Sequence, residues 1–247
     1  MNFAIGIIYI LVVSFGLYRI ITFVKKYKAL PSDMKVDDRL REAVHQQFKN
    51  KVIATILTRE ILVIYYLFTK EDKQSKNENA EEFTIYKNSG YTGLVIAIVS
   101  ALVLEGVGIS FLLHNWNEIV AWIHIILSVY GIAFLLGDLK AIQRNPFLLN
   151  ESQLMMKYGL RYNMTINLDN IDLIQQGNIN YEKDKNSKGS VSFNLNEFEE
   201  PSYEIQLKNP VAYRDFIGRT VMIKKIFIFI DDKDLFLRKL NEYRVAV

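Results

Sequence analysis

The pattern of hydrophobic and polar positions divides this chain into an apolar first part and a mixed second part. Long apolar runs are concentrated before Asp138, whereas short apolar stretches alternate with charged residues after it. Runs of about 20 apolar residues are typical of helices that cross the ~30 Å hydrocarbon core of a membrane, and alternation is typical of half-buried strands. The pattern therefore predicts an α-helical membrane domain over residues 1–140, followed by a small β-rich α+β domain over residues 141–247.

The strongest apolar feature is a pair of arms, residues 91–113 and 119–137, joined by the polar turn 114–118. Both arms are long enough to span a bilayer, so they predict an antiparallel membrane hairpin. In the second arm His124, Ser128 and Gly131 fall on one helical face, and small residues of this kind allow close helix packing. We expect that face to point toward the first arm.

Each arm of the hairpin carries one ionisable residue, Glu105 in the first and His124 in the second. At ~1.5 Å per helical residue, both lie at nearly the same distance from the turn. Ionisable groups inside a bilayer are costly and are candidates for function, so we expect each side chain to be the other's partner.

A further apolar run over residues 3–24 ends in Lys25, Lys26 and Lys28. Its basic residues follow the apolar core instead of preceding it, which favours a retained anchor over a cleaved signal peptide. By the positive-inside rule, the N-terminus then faces outside. The basic stretch that follows, up to Lys51, predicts a helix lying on the membrane surface.

A fourth apolar segment, residues 52–69, is interrupted by Arg59 and Glu60 and allows two topologies. Its length is sufficient for a span. If the segment is instead re-entrant or interfacial, all basic loops fall on one side of the membrane, as the charge rule favours. Residues 70–82 are polar and predict a solvated loop.

The second part of the chain predicts strands and one closing helix. Strands are expected near 154–157, 161–168, 191–195, 203–208 and 226–230, with Gly159 supplying a positive φ in the turn between the first two. Asp231 or Asp232 is expected to cap a helix that extends through Tyr243. These elements favour a small sandwich or partly open barrel, covered by its terminal helix, with residues 178–201 as a long polar excursion.

Several segments resemble known bacterial proteins. Residues 146–162 and 166–174, together with 203–210, 221–230 and 231–240, are similar in their apolar positions and turns to pleckstrin-homology-like domains of bacterial membrane proteins. Residues 58–62 and 105–146 resemble uncharacterised multi-span bacterial membrane proteins that carry such a domain. The resemblance implies a pleckstrin-homology-like C-terminal domain on the cytoplasmic side of the cell membrane.

Composition narrows the chemistry further. The chain has no cysteine, which excludes disulfides, thiolate metal ligands and a cysteine nucleophile. A net charge of +3, with acids and bases interspersed, gives little support to nucleic-acid binding. The sequence contains no nucleophile elbow, phosphate-binding glycine loop or paired metal-binding histidines, so it predicts no metal and no cofactor, and it does not support an enzyme.

Two sets of residues remain as candidates for a functional site. Glu105 and His124, joined by Glu60 and Arg59, are candidates for acid/base chemistry or ion transfer, but the favoured interpretation is that a buried Glu–His pair fixes helix register. The candidates for binding anionic lipid are Lys140, Arg144, Lys157 and Arg161.

Three functions are consistent with these features. The favoured one is a binding or regulatory protein of the cell membrane, whose β-rich domain contacts lipid headgroups or a protein partner. The alternatives are an intramembrane transporter or enzyme, and a protein that gives immunity to membrane-active peptides. The expected partners are membrane lipid and either another membrane protein or a second copy of the chain.

Overall fold

The structure, a computed structural model, describes residues 2–70, 80–176, 180–185, 187–196 and 199–245, with side chains described from Val13 to Arg244. Most of the predicted polar loop after Thr69, residues 71–79, lies outside this description, as do parts of the polar excursion 178–201.

The chain is an α+β protein with long helices in its first part and two β-sheets in its second. The helices are α1 (Asn2–Ala29), α2 (Val36–Gln47), α3 (Lys51–Phe68), α4 (Tyr91–Trp116), α5 (Glu118–Arg144), α6 (Tyr181–Asp184) and α7 (Lys233–Val245). The strands are β1 (Glu81–Phe83), β2 (Phe147–Leu149), β3 (Gln153–Tyr158), β4 (Tyr162–Asn167), β5 (Ile171–Gln176), β6 (Ser190–Phe193), β7 (Tyr203–Arg214) and β8 (Thr220–Ile228).

Two of the helices in the described part of the chain, α4 and α5, are long and apolar enough to cross a membrane. Only 11% of the most apolar stretch of α4 and 6% of that of α5 is buried inside the protein. The large apolar side chains Leu104, Val107 and Ile126 are 75%, 72% and 63% exposed. An apolar surface of this extent is unfavourable in water, which is consistent with a location in a membrane.

The other two predicted membrane segments are also helical. α1 covers the predicted anchor, although the side chains of its first residues lie outside the description. α3 is one continuous helix through Arg59 and Glu60, so the charged pair does not interrupt the backbone.

By its internal packing the chain divides into two compact units. The first comprises residues 1–62 and 217–219, and the second comprises residues 63–216 and 220–247.

In the first unit, α2 lies against the C-terminal half of α1. The Gln47 amide donates to the Arg19 carbonyl oxygen at 2.9 Å, and the Arg39 guanidinium donates to the Tyr27 carbonyl oxygen at 3.1 Å. The Arg39 guanidinium also lies 4.3 Å from the centre of the Tyr27 ring, a cation–π contact. Gly218 packs against the first turn of α3, where a Cβ would lie 2.5 Å from the Thr55 hydroxyl oxygen.

In the second unit, two four-stranded sheets share one hydrophobic core. One sheet has the order β1-β2-β3-β4 and is antiparallel throughout, and the other has the order β5-β7-β8-β6, with β6 parallel to β8. α7 adds Phe236 and Leu240 to the core, where the Phe236 ring meets Phe83 edge to face at 5.1 Å. A terminal helix that buries one apolar face in this way closes an otherwise open core.

Several local predictions for this part are confirmed. Gly159 has a φ of +54° in the β3–β4 turn, and Asp232 caps α7 by accepting a hydrogen bond from the Leu235 amide at 3.2 Å. Asp231 instead accepts from the Asn88 amide at 2.7 Å. β7 extends through Pro210, which lacks an amide hydrogen, because the register with β8 shifts between Gln206 and Val211.

The base of the α4–α5 hairpin belongs to the same core as the sheets. Tyr91 and Val95 of α4 and Leu139 and Ile142 of α5 pack with the core residues of both sheets. The predicted boundary at residue 140 falls inside α5, which continues to Arg144 and leads directly into β2.

Candidate functional site

A buried polar arrangement in the second unit is centred on Asp138, near the C-terminal end of α5. Its side chain is only 1% exposed and accepts hydrogen bonds from the Tyr91 hydroxyl at 2.7 Å and the Leu160 amide at 2.9 Å. The Arg161 guanidinium lies 3.3 Å from the same carboxylate. We refer to Asp138, Tyr91, Leu160 and Arg161 as the Asp138 cluster.

The Asp138 cluster connects three elements. Tyr91 begins α4, Asp138 lies in α5, and Leu160 and Arg161 belong to the β3–β4 turn. A buried carboxylate that accepts several hydrogen bonds and faces a guanidinium is well compensated, but only while all its partners remain in place. The cluster therefore attaches the β3–β4 hairpin to both helices at one point.

Aromatic rings enclose the Arg161 side chain. Its guanidinium lies 4.8 Å from the centre of the Tyr158 ring and 5.9 Å from that of Tyr91. Burial tends to lower the pKa of Arg161, but the neighbouring Asp138 carboxylate raises it, and the net change is upward. Burial raises the pKa of Tyr158 above its ordinary value, so the ring stays neutral beside the charged pair.

Gly159 is required by the close approach of the turn to α5. A Cβ at this position would lie 2.4 Å from Asp138 Oδ1 and 2.9 Å from Ile142 Cγ1. The residue also has the positive φ that L side chains rarely adopt. Both features allow the Leu160 amide to reach the carboxylate.

The lysine and arginine predicted to bind lipid from α5 make contacts inside the protein. Lys140 Nζ donates to the Leu67 carbonyl oxygen at 2.9 Å, and Arg144 Nη1 donates to the Thr69 hydroxyl at 3.1 Å. These cations lie at the C-terminal end of α3, where free carbonyl groups and the helix dipole favour positive charge.

Arg161 is held by Asp138, and Lys157 is half-buried on β3. Lys140, Arg144 and Arg161 therefore have the internal partners given above, and Lys157 also interacts within the protein. Headgroup binding by the four residues stays a prediction.

Glu105 and His124 are not brought together by the structure. The His124 ring instead forms a hydrogen bond with Ser110, whose Oγ lies 3.0 Å from Nδ1. Within the residues that the structure describes, the Glu105 carboxylate makes no hydrogen bond or ion pair, and its side chain is exposed. Gly106 and Ser110 lie on the α4 face that packs against α5, and Ser110 takes the place at His124 that was predicted for Glu105.

The predicted inner face of the hairpin contains the small residues expected there. A Cβ on Gly106 would lie 3.5 Å from Ser128 Cβ, and one on Gly131 would lie 3.6 Å from Leu102 Cδ1. The Ser128 hydroxyl donates to the His124 carbonyl oxygen at 3.0 Å, which satisfies it within α5. The Ser110–His124 hydrogen bond is thus a polar contact between closely packed helices.

Arg59 and Glu60, the other candidates for chemistry, form an ion pair with each other, with Arg59 Nη2 3.5 Å from Glu60 Oε1. Both residues lie in the first unit, whereas Glu105 and His124 lie in the second. Their proposed joint action stays a prediction. In the part of the chain that the structure describes, no group of three histidine or acidic side chains is arranged to hold a metal ion.

A second buried polar group lies on the β5-β7-β8-β6 sheet. Glu204 is fully buried and accepts from Lys225 Nζ at 3.1 Å and from Gln206 Nε2 at 2.9 Å. Lys225 also pairs with Asp184. Because each polar atom named here has a partner, the arrangement supports the sheet and does not resemble an open binding site.

Sequence reasoning missed Asp138 as a site residue because it regarded that position as the end of the apolar run. The sequence did contain a signal for this site. An acidic residue lies close to the predicted domain boundary, and the turn Tyr158-Gly-Leu-Arg161 follows it with a backbone amide and a guanidinium that can bind a carboxylate. The short strand β1 was missed as well, because three residues at the edge of a polar loop give no alternation to detect.

Comparisons with protein-family models, with curated proteins and with solved structures found no match for this chain. The chain is therefore described by its own architecture. It has a long apolar helical hairpin, and the base of the hairpin packs into the core of two β-sheets.

Proposed function

We propose that this chain is a multi-span protein of the cell membrane that holds a β-rich, pleckstrin-homology-like body at the cytoplasmic surface for a binding or regulatory role. In this proposal α1, α4 and α5 cross the bilayer, the N-terminus lies outside and the β-rich body lies in the cytoplasm. The two sheets and the closing helix α7 support the pleckstrin-homology-like assignment.

The Asp138 cluster is the observation that carries this proposal. It joins α4, α5 and the β3–β4 turn through a buried carboxylate, so the helical hairpin and the body are not separate parts on a flexible tether. A body fixed in this way presents a constant surface to the membrane or to a partner. That arrangement suits binding and regulation better than intramembrane chemistry, because Glu105 and His124 are not paired.

The membrane topology can be tested by labelling single cysteines, since the chain has no cysteine of its own. Asn115→Cys lies at the far end of α4, Lys87→Cys lies just before its base, and Lys188→Cys lies in the β-rich body; all three positions are exposed. In intact cells, a membrane-impermeant maleimide should label only Asn115→Cys. After permeabilisation it should label all three.

Equal labelling of Asn115→Cys and Lys188→Cys in intact cells would contradict the proposed hairpin span. Release of the protein by alkaline carbonate extraction would contradict membrane integration altogether. A labelled Lys188→Cys with a protected Asn115→Cys would reverse the orientation and place the body outside.

A further inference from the structure

In the part of the first unit that the structure describes, exposed lysines without a side-chain partner lie in the last turns of α1 and around the α2–α3 connection. They are Lys25 and Lys28 on α1, Lys49 in the α2–α3 connection and Lys51 at the start of α3, and all are exposed. Within the residues that the structure describes, none of the four makes a side-chain hydrogen bond or ion pair. The adjacent Lys26 does have an internal partner, the Gln46 carbonyl oxygen.

The packing of α2 on α1 determines where the connection with Lys49 and Lys51 lies. The Arg19 guanidinium lies 5.1 Å from the centre of the Phe15 ring and 5.2 Å from that of Phe48. The Gln47 amide donates to the Arg19 carbonyl oxygen at 2.9 Å. These contacts hold Gln47 and Phe48 beside Arg19 of α1. Lys49 is the next residue along the chain, so its backbone also lies close to α1.

An apolar surface lies on the N-terminal side of these lysines. Phe15, Leu17 and Ile20 are 60%, 56% and 60% exposed on α1. The change from exposed apolar residues to exposed cations within a few helical turns is typical of the boundary between hydrocarbon and headgroups. The exposed acids of the same unit are Asp33 and Glu42, of which Glu42 accepts a hydrogen bond from Gln46.

The lysines of this group differ in one respect from the cations that the sequence first suggested as lipid ligands. Lys140, Arg144 and Arg161 are used to cap α3 and to neutralise Asp138. The Asp138 carboxylate offsets the charge of Arg161, and Lys140 and Arg144 are held against α3 by hydrogen bonds to Leu67 and Thr69. The unpaired lysines of the first unit keep their full attraction for negative charge.

We propose that Lys25, Lys28, Lys49 and Lys51, from the C-terminal part of α1 and the neighbouring α2–α3 connection, bind anionic phospholipid headgroups on the cytoplasmic side of the membrane. The inference rests on the proposed function, because it requires α1 to cross the membrane. The ligand class is a lipid with a phosphodiester and a net negative charge. Clusters of lysines next to a membrane helix attract such lipids electrostatically.

The test uses the full chain in nanodiscs that contain phosphatidylcholine and phosphatidylglycerol with the same acyl chains. The lipids that stay bound after extraction into neutral detergent are counted by native mass spectrometry. The wild-type chain should retain phosphatidylglycerol in preference to phosphatidylcholine.

One variant replaces the four proposed lysines, and a matched control replaces four exposed lysines of the second unit. The test variant carries Lys25→Gln, Lys28→Gln, Lys49→Gln and Lys51→Gln, and the control carries Lys183→Gln, Lys188→Gln, Lys208→Gln and Lys224→Gln. The test variant should lose the preference by about tenfold or more, and the control should keep it, although both lose the same charge. A variant with arginine at all four proposed positions should restore the preference.

Three results would overturn the inference: no lipid preference in the wild-type chain, an equal loss in both glutamine variants, or displacement of the lipid by inorganic phosphate beyond the effect of chloride at equal ionic strength. The last result would indicate a site for free phosphate. Carbonate extraction of the cell membranes from which each protein is purified separates the two proposals. A protein that stays in the membrane without lipid preference contradicts only the inference, whereas an extracted protein contradicts the proposed function.

Discussion

Asp138 combines three roles that are usually divided among several residues. It is a buried charge, a hydrogen-bond acceptor for an α4 side chain, and an acceptor for the backbone of the β3–β4 turn. Removing one member of a buried ion pair leaves the other charge buried without a counter-charge. The resulting loss of folding free energy is larger than the net stabilisation by the intact pair.

Asp138→Asn should lower the free energy of unfolding by about 2–4 kcal/mol, because the Arg161 guanidinium loses its counter-charge while remaining largely enclosed. Thermal unfolding in detergent would measure the effect. Asp169→Asn, the same change at an exposed acid, should leave the stability nearly unaltered. Equal midpoints for the two variants would show that the cluster does not stabilise the junction.

Gly159→Ala should destabilise the protein more than Gly189→Ala. Both glycines have a positive φ, +54° and +96°, so both substitutions introduce backbone strain. Only at Gly159 would the new Cβ also clash, 2.4 Å from Asp138 Oδ1, whereas at Gly189 the nearest atom is 4.0 Å away. The difference between the two melting temperatures measures the effect of the contact between Gly159 and Asp138. A larger decrease in melting temperature for Gly189→Ala would contradict this prediction.

At the scale of elements, the α4–α5 hairpin shows how helical phase decides which polar residues meet. His124 forms a hydrogen bond with Ser110, which is 8% exposed, while Glu105 is exposed on the surface of α4. A shift of one residue along a helix rotates a side chain by about 100°, so equal depth is not sufficient for contact.

A double-mutant cycle of Ser110→Ala and His124→Ala should give a coupling of about 0.6 kcal/mol, the usual size of a hydrogen bond between membrane helices. The cycle of Glu105→Gln and His124→Ala should give a coupling near zero, since no contact joins those side chains. Reversible unfolding in mixed micelles provides both values. A larger coupling energy in the second cycle than in the first would indicate that Glu105, and not Ser110, is the partner of His124.

The sheet β5-β7-β8-β6 has a polar centre in which Lys225 pairs with Asp184 and Glu204. Burial tends to lower the pKa of Lys225, but its hydrogen bonds to Asp184 and Glu204 outweigh this effect and raise the pKa above 10.5. A group whose pKa is raised on folding contributes stability that is complete below its unfolded value and is lost as the pH rises through the folded value.

The stability of the protein should therefore fall as the pH rises above about 10.5. Lys225→Met lacks the titrating group, so it should be less stable at neutral pH and its unfolding midpoint should depend less on pH in this alkaline range. Thermal unfolding between pH 8 and 11 would compare the two proteins. Parallel pH curves would indicate that Lys225 is not the group responsible.

At the scale of the whole molecule, the hairpin base and the β-rich part share one hydrophobic core. Residues of α4, α5, α7 and both sheets belong to the same core, so a cavity made in the helices should weaken the sheets.

Ile142→Ala should lower the free energy of unfolding by about 2–5 kcal/mol and increase hydrogen exchange at the β3 amides, since Ile142 is 1% exposed in this core. Ile126→Ala makes the same change on the same helix at a position that is 63% exposed, and it should have little effect on either measurement. If Ile142→Ala left exchange in β3 unchanged, the helices and sheets would be independent units.

The sequence by itself determined the types of element and their rough positions. The paired apolar arms, the strands with alternating residues, the turn at Gly159 and the stripe of Phe236 and Leu240 depend on local periodicity and backbone conformation, which are properties of neighbouring residues. The α+β composition and the two long apolar helices followed from the same signals.

Tertiary structure alone decided which polar residues meet. Asp138 faces Arg161 and Tyr91 because α4, α5 and the β3–β4 turn converge, and Lys140 and Arg144 cap α3 because the two helices end near each other. Such contacts join residues far apart in sequence and depend on helix rotation, which depth and periodicity leave undetermined. The physical reason is that a charge is placed by the partners that compensate its burial, and those partners are known only once the chain has folded.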